Sequence, residues 1–122
     1  MTDKTKILIV DDSLFQRRVI GDILRDNNYE VIQASNGREG IKLFESDHPR
    51  VILLDLLMPD MNGIEVIKEI KKISESQKII VLSADIQQSI KDECAALGVF
   101  KFLNKPAKEK ELLEVLMEAL NE

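Results

Sequence analysis

Five short apolar runs punctuate the chain, and each is followed by a stretch with helical spacing. Lys6 to Val10 (KILIV) is largely β-branched and ends in Asp11 and Asp12. Ser13 then opens a segment in which Phe15, Val19, Ile20, Ile23 and Leu24 recur at helical intervals, predicting one stripe toward the core and Arg17, Arg18, Asp22 and Arg25 in water. Asn27 and Asn28 end it. Tyr29 to Ala34 predicts a second strand. Asn36 with Glu39 three positions on has the form of a capping box for a helix whose buried side is Ile41 and Phe44, and which stops at His48 and Pro49. Val51 to Leu54 lacks polar alternation, which suits a parallel strand buried on both faces. Asn62-Gly63-Ile64-Glu65 repeats the capping pattern ahead of Val66, Ile67, Ile70 and Ile73. Asn-Gly is also a hairpin signal, but both copies precede helical periodicity and so mark helix starts. Lys78 to Leu82 predicts a fourth strand running into Ser83, Ala84 and Asp85. A helix from Ile86 to Leu97 follows, with Gly98 placed to stop it in the left-handed conformation. Val99 to Leu103 predicts the fifth strand. Asn104, Lys105 and Pro106 break it before a last helix carrying Leu112, Leu113, Leu116 and Leu120.

Strict alternation of strand and helix implies an α/β fold: a five-stranded parallel sheet with right-handed crossovers and helices on both faces. Five units in one open sheet suggest the doubly wound order 2-1-3-4-5, an order borrowed from flavodoxin-like (βα)5 sheets. At 122 residues the chain has room for one domain, residues 1–122. The 44% hydrophobic and 32% charged content is a soluble balance, and the longest apolar run is far short of the roughly 20 residues that span a bilayer. No membrane insertion is expected. The N-terminus offers only a short apolar run before two acids, too little for a secretory core, so a cytoplasmic location is expected. With 17 basic against 22 acidic residues and a net charge of −5, nucleic acid is excluded as the expected ligand. The lone Cys94, beside Ala95, Ala96 and Leu97, permits no internal disulfide and reads as a small helix-packing residue. Lys68, Lys71 and Lys72 read as a solvated helix face, and His48 as a loop residue.

In the order 2-1-3-4-5 the switch point lies between strands one and three. Asp11, Asp12 and Asp55 would meet in that crevice, with Ser83 and Lys105 arriving from strands four and five. Asp55 by itself could equally be a strand-terminating or capping residue; its company decides. Three carboxylates packed together repel one another unless something neutralises them, so a cation is expected. All-oxygen ligands favour a hard ion, and Mg2+ takes one or two carboxylates plus a phosphate oxygen while keeping several waters. An Asp beside Mg2+, a Lys and a hydroxyl has what phosphoryl transfer to a carboxylate requires: a nucleophile, charge neutralisation and positioning. Asp55 would be the acceptor.

These residues resemble the receiver domains of two-component response regulators, over essentially the whole chain. Asp11 and Asp12 look like the acidic pair, DLLMPDMNG like the loop around the phosphorylated Asp55, Ser83 like the switch hydroxyl, and Lys105-Pro106 like the family's Lys-Pro pair. The resemblance implies that Asp12, Asp55 and the backbone carbonyl of Leu57 coordinate Mg2+ directly, with Asp11 acting mostly through water. It implies that Ser83 and Lys105 hold the phosphoryl oxygens, and that the bond before Pro106 is cis. Two residues depart from the common pattern. Ser83 stands where many members have Thr and keeps the hydroxyl, whereas Phe102 stands where many have Tyr and offers an aromatic switch without a hydroxyl.

A haloacid dehalogenase-type phosphatase shares the aspartyl chemistry but needs a second acid two residues on, where this chain has Leu57. A flavodoxin-like FMN carrier needs a hydroxyl- and Gly-rich loop after strand one, where Asp11 and Asp12 would repel phosphate. The expected protein is a signalling module, not an enzyme beyond its own phosphorylation and dephosphorylation, with no output domain of its own. Its expected partners are a sensor histidine kinase and an output protein bound on the face of the fourth helix, fifth strand and fifth helix, with the chain a monomer. The Ser-Ala-Asp-Ile-Gln and Phe-Leu-Asn-Lys-Pro stretches resemble stand-alone chemotaxis-type receivers; a phosphorelay intermediate or phosphate sink is the alternative.

Overall fold

The computed structural model describes residues 4–84 and 87–122. Strands and helices alternate as β1 (Lys6–Val10), α1 (Leu14–Asp26), β2 (Glu30–Ala34), α2 (Gly37–Asp47), β3 (Val51–Leu54), α3 (Gly63–Ile73), β4 (Lys78–Ser83), α4 (Gln88–Ala96), β5 (Lys101–Asn104) and α5 (Glu109–Leu120). The strands form one parallel sheet in the order β2-β1-β3-β4-β5, the doubly wound order expected. The start of the predicted fourth helix, Ile86, lies outside the described residues, as does Asp85.

Successive residues of a strand face opposite sides, and here both sides are covered. Ile7, Ile9, Val51, Leu53, Ile80 and Leu82 pack with Ile20 and Leu24 of α1 and Leu112 and Leu116 of α5. Their neighbours Leu8, Val10, Ile52, Leu54, Ile79 and Val81 pack with Phe44, Ile67, Ile70 and Cys94 of α2, α3 and α4. This accounts for the unbroken apolar run of β3, whose four residues are all buried. In register, Val10 pairs with Leu54 and Leu54 with Val81, while Ser83 pairs with Asn104. The residues that follow β1, β3 and β5 therefore emerge at one edge of the sheet.

Several local expectations change. Phe15 is 72% and Val19 42% exposed, because α1 meets the sheet through Ile20, Gly21 and Leu24 and its apolar arc is wider than the contact. Ile73, the last residue of α3, is exposed as well. Lys71 is half-buried: its ammonium donates to the carbonyls of Glu75 (2.9 Å) and Gln77 (2.8 Å), closing the turn into β4. Burial, helped by nearby Lys78, lowers its pKa. His48 is the left-handed C-cap of α2 (φ 50°). The expected capping box at α2 is shifted, since Asn36 accepts the Glu39 N–H (2.9 Å) but Glu39 reaches past the cap to the Ser35 N–H (2.8 Å). At α3 the Asn62 side chain accepts from Ile64 instead of Glu65 (2.7 Å). Gly98 has the expected positive φ, 89°. Cys94 is buried, and that burial, with Glu93 beside it, raises its thiol pKa.

Candidate functional site

Parallel pairing carries past the strand ends and fixes the acidic residues. The Asp55 N–H donates to the Val10 carbonyl (2.9 Å) and the Asp11 N–H to the Ala34 carbonyl (3.1 Å), so both backbones are still held by the neighbouring strand. Asp11 and Asp55 are buried and Asp12 is exposed. One carboxylate oxygen from each lies within 4.8 Å of the others. Lys105 joins them from beyond β5: its backbone N–H donates to the Ser83 carbonyl (2.9 Å), and its ammonium reaches Asp11 Oδ2 at 3.0 Å and Asp55 Oδ2 at 3.2 Å. The peptide bond from Lys105 to Pro106 is cis, as the family resemblance implies.

The remaining oxygens are unequally engaged. Asp11 Oδ1 accepts the Ser13 N–H (2.9 Å), and Asp55 Oδ1 accepts the Leu57 N–H (3.2 Å). Asp12 accepts no hydrogen bond among the described residues. The Leu57 side chain is exposed. Ser83 is fully buried at the end of β4. Phe102, half-buried on β5 opposite Val81, packs against the side of the sheet covered by α2, α3 and α4, with the Lys91 ammonium 5.6 Å from its ring centroid. Asp11, Asp12, Asp55, Ser83 and Lys105, the five expected at the sheet edge, therefore lie at the ends of their strands, while Phe102 lies inside β5, two residues before its end.

Two contacts were not foreseen. Arg17, expected in water, donates from Nη1 to the Asp11 carbonyl at 2.6 Å and from Nε to Gln33 at 3.2 Å. Asp60, in the loop after β3, accepts the N–H groups of Gly37 (3.0 Å) and Arg38 (3.2 Å) at the start of α2.

Burial raises the Asp55 pKa above its ordinary 3.8; the Leu57 N–H and the Lys105 charge pull it back only in part, and Asp11 adds to the rise. Burial works against the Lys105 ammonium too, but the hydrogen bond to Asp11 and the charge of Asp55 outweigh it and raise its pKa. Three carboxylates against one ammonium leave negative charge in excess, and their donor atoms are all oxygen. That donor set fits a hard divalent cation.

A carboxyl whose folded-state pKa is raised opposes folding when ionised, and the penalty is relieved as pH falls through that pKa. Without divalent cations, Asp55→Asn is therefore expected to be more stable than wild type at pH 7, with the gap narrowing toward pH 4. Denaturant midpoints of the two proteins at both pH values check this. An Asn variant less stable at pH 7 would contradict it.

The sequence pattern of the response regulator receiver domain matches residues 7–117. Chemotaxis protein CheY of Thermotoga maritima is 41% identical over 112 residues, covering 91% of this chain and 93% of that protein. The structure of chemotaxis protein CheY4 of Vibrio cholerae superposes with a TM-score of 0.90 at 32% identity, over 96% of this chain and 99% of that one. A CheX–CheY–BeF3–Mg2+ complex from Borrelia burgdorferi contains a chain that superposes at a TM-score of 0.91 and 25% identity, over 95% of this chain and 89% of that one. Asp11, Asp12, Asp55 and Lys105 thus meet at the strand ends of a sheet and sequence that agree with one family throughout, and the chain belongs to the response regulator receiver domains, phosphoryl-accepting signalling proteins.

Proposed function

We propose that Asp55 accepts a phosphoryl group from the phosphohistidine of a sensor kinase and that the protein then presents an altered α4–β5–α5 face to an output partner. The observation that carries this reading is the Lys105 ammonium bridging buried Asp11 and Asp55, whose carboxylates have an Asp12 oxygen within 4.8 Å. A carboxylate oxygen of Asp55 attacks phosphorus as the phosphohistidine P–N bond breaks and its electron pair returns to the imidazole. The product is an acyl phosphate. Lys105 supplies fixed positive charge to the transferred oxygens, and the Ser83 hydroxyl donates to one of them. Asp12, which is exposed and accepts no hydrogen bond among the described residues, would bind Mg2+ directly with Asp55 and the Leu57 carbonyl, while Asp11 would act through water. When bound, Mg2+ offsets the charge of the phosphoryl group and the carboxylates. Beyond this self-directed chemistry the protein is no enzyme. The similarity to chemotaxis proteins supports a chemotaxis role in the cytoplasm.

Drawing Ser83 toward new phosphoryl oxygens would change the packing beneath α4, where Phe102 and Ile90 lie against the same cluster. Coupling of this kind is typically about 5- to 150-fold in partner affinity and acts in both directions. The test is NMR of the protein with beryllofluoride and Mg2+. Shifts should begin at Asp11, Asp12 and Asp55 and extend to Ser83, Lys91 and Phe102, and Asp12→Ala should abolish them. Shifts confined to the acidic loops would refute the output face, and an unaffected Asp12→Ala protein would refute its role in holding the cation.

A further inference from the structure

The loop from Asp55 to Asn62 carries the phosphoacceptor and Leu57, and its interior is anchored to a helix it does not precede in the chain. Both oxygens of Asp60 are taken by α2: Oδ1 by the Gly37 N–H at 3.0 Å and Oδ2 by the Arg38 N–H at 3.2 Å. These two N–H groups belong to the first turn of a helix, where no intrahelical acceptor exists for them and the helix dipole favours a carboxylate. The Gly37 N–H above all, then the Arg38 N–H and charge, hold the Asp60 carboxyl below its ordinary range despite the opposing effect of desolvation. Packing reinforces the link. A Cβ added to Gly37 would stand 2.9 Å from Met61 Cβ, so the loop presses on the start of α2 where only glycine fits. Asn36 already caps α2 through the Glu39 N–H. The Asp60 contact is therefore additional to the helix's own cap.

A flexible loop would lose conformational freedom each time a cation drew its backbone into place, whereas a loop already fixed at both ends and its middle loses little. Here the ends are fixed by the Asp55 N–H on Val10 and by the Gly63 N–H on the Leu56 carbonyl (2.9 Å). Between them Asp60 provides the side-chain tie to α2. It also borders, with Asp12, Leu57 and Met58, the open cleft outside the carboxylates. We infer that Asp60 is a positioning residue for the cation site: by clamping the β3–α3 loop to the first turn of α2 it holds Leu57 and Asp55 in the arrangement that binds Mg2+. The inference rests on the receiver reading above and deepens it. It also makes the start of α2 part of the same unit, so that cation binding tightens the Gly37 and Arg38 amides.

Titrating the intact protein with Mg2+ by calorimetry tests it, with half-maximal Mg2+ for phosphorylation by a small phosphodonor as a second readout. Asp60→Ala should weaken Mg2+ binding about tenfold, within the range seen when supporting partners of metal ligands are removed. It should raise the Mg2+ needed for half-maximal phosphorylation and leave the rate at saturating Mg2+ near wild type. Asp60→Asn, which keeps one acceptor oxygen, should fall between. Asn36→Ala removes the α2 cap without touching the loop and should leave Mg2+ affinity within about twofold of wild type; it separates the tether from helix stability. Asp60→Ala binding Mg2+ as tightly as wild type, or Asn36→Ala losing as much, overturns the inference while the receiver reading stands. A wild-type protein with no saturable Mg2+ binding overturns both.

Discussion

Asp55→Asn should take up no phosphoryl group under conditions that add one to the wild type. The substitution replaces a carboxylate oxygen by an amide nitrogen at nearly constant volume, so the packing at the end of β3 and the bond from the Asp55 N–H to Val10 are kept. What disappears is the nucleophile. An amide cannot form the acyl phosphate, and the other two carboxylates are differently placed. Asp11 follows β1, across the Lys105 ammonium from Asp55, and Asp12 is exposed to solvent. The loss should be complete, because it removes a covalent step and not one contribution to its rate. Intact mass after incubation with a small phosphodonor and Mg2+ decides it: one phosphoryl group on wild type, labile at high pH, and none on the variant. Equal labelling of the Asn protein would move the acceptor elsewhere.

Gly63→Ala should be costly out of proportion to one methyl group. A Cβ at this position would stand 2.5 Å from the Leu56 Cα, 2.8 Å from the Leu56 Cδ2 and 2.9 Å from the Asp55 carbonyl oxygen. Two of those three atoms are backbone and cannot rotate away. The Gly63 N–H also donates to the Leu56 carbonyl, so the crossing of the loop with the first turn of α3 must open to admit the methyl. Overpacking of this kind costs about 1–3 kcal/mol and sometimes more, against a total stability of roughly 5–15 kcal/mol for a domain. The strain falls on the phosphoacceptor Asp55 and on Leu56 beside it, so phosphorylation should slow as well as the denaturation midpoint fall. A variant with an unchanged midpoint would show that the loop adjusts freely.

The inner strands were legible because a sheet covered on both faces leaves no alternation to confuse them, and β1 and β3 begin and end where the apolar runs do, whereas edge strand β5 begins at Lys101 and not at the expected Val99. The polar residues at their ends were legible for a related reason. Parallel strands point the same way, so Asp11, Asp55 and Lys105, each just past a strand, needed only the strand order to be brought together. Hydrophobicity alone said less about α1. It marks which residues can be buried but not the angle at which a helix meets its sheet, and Phe15 and Val19 stayed outside. Asp60, and Arg17 in its contact with Asp11, escaped notice because the partners there are backbone groups. A carbonyl or N–H belongs to every residue alike and leaves no mark in a sequence.

The buried Cys94 bears on how this protein can be watched at work. Its thiol is packed among the side chains beneath α4, and burial raises its pKa, so it is a poor target for maleimides and iodoacetamides, which need an accessible thiolate. It is also the single cysteine of the chain. A reactive cysteine introduced at an exposed position would then be the one that takes up a dye or spin label, with the native sequence otherwise intact.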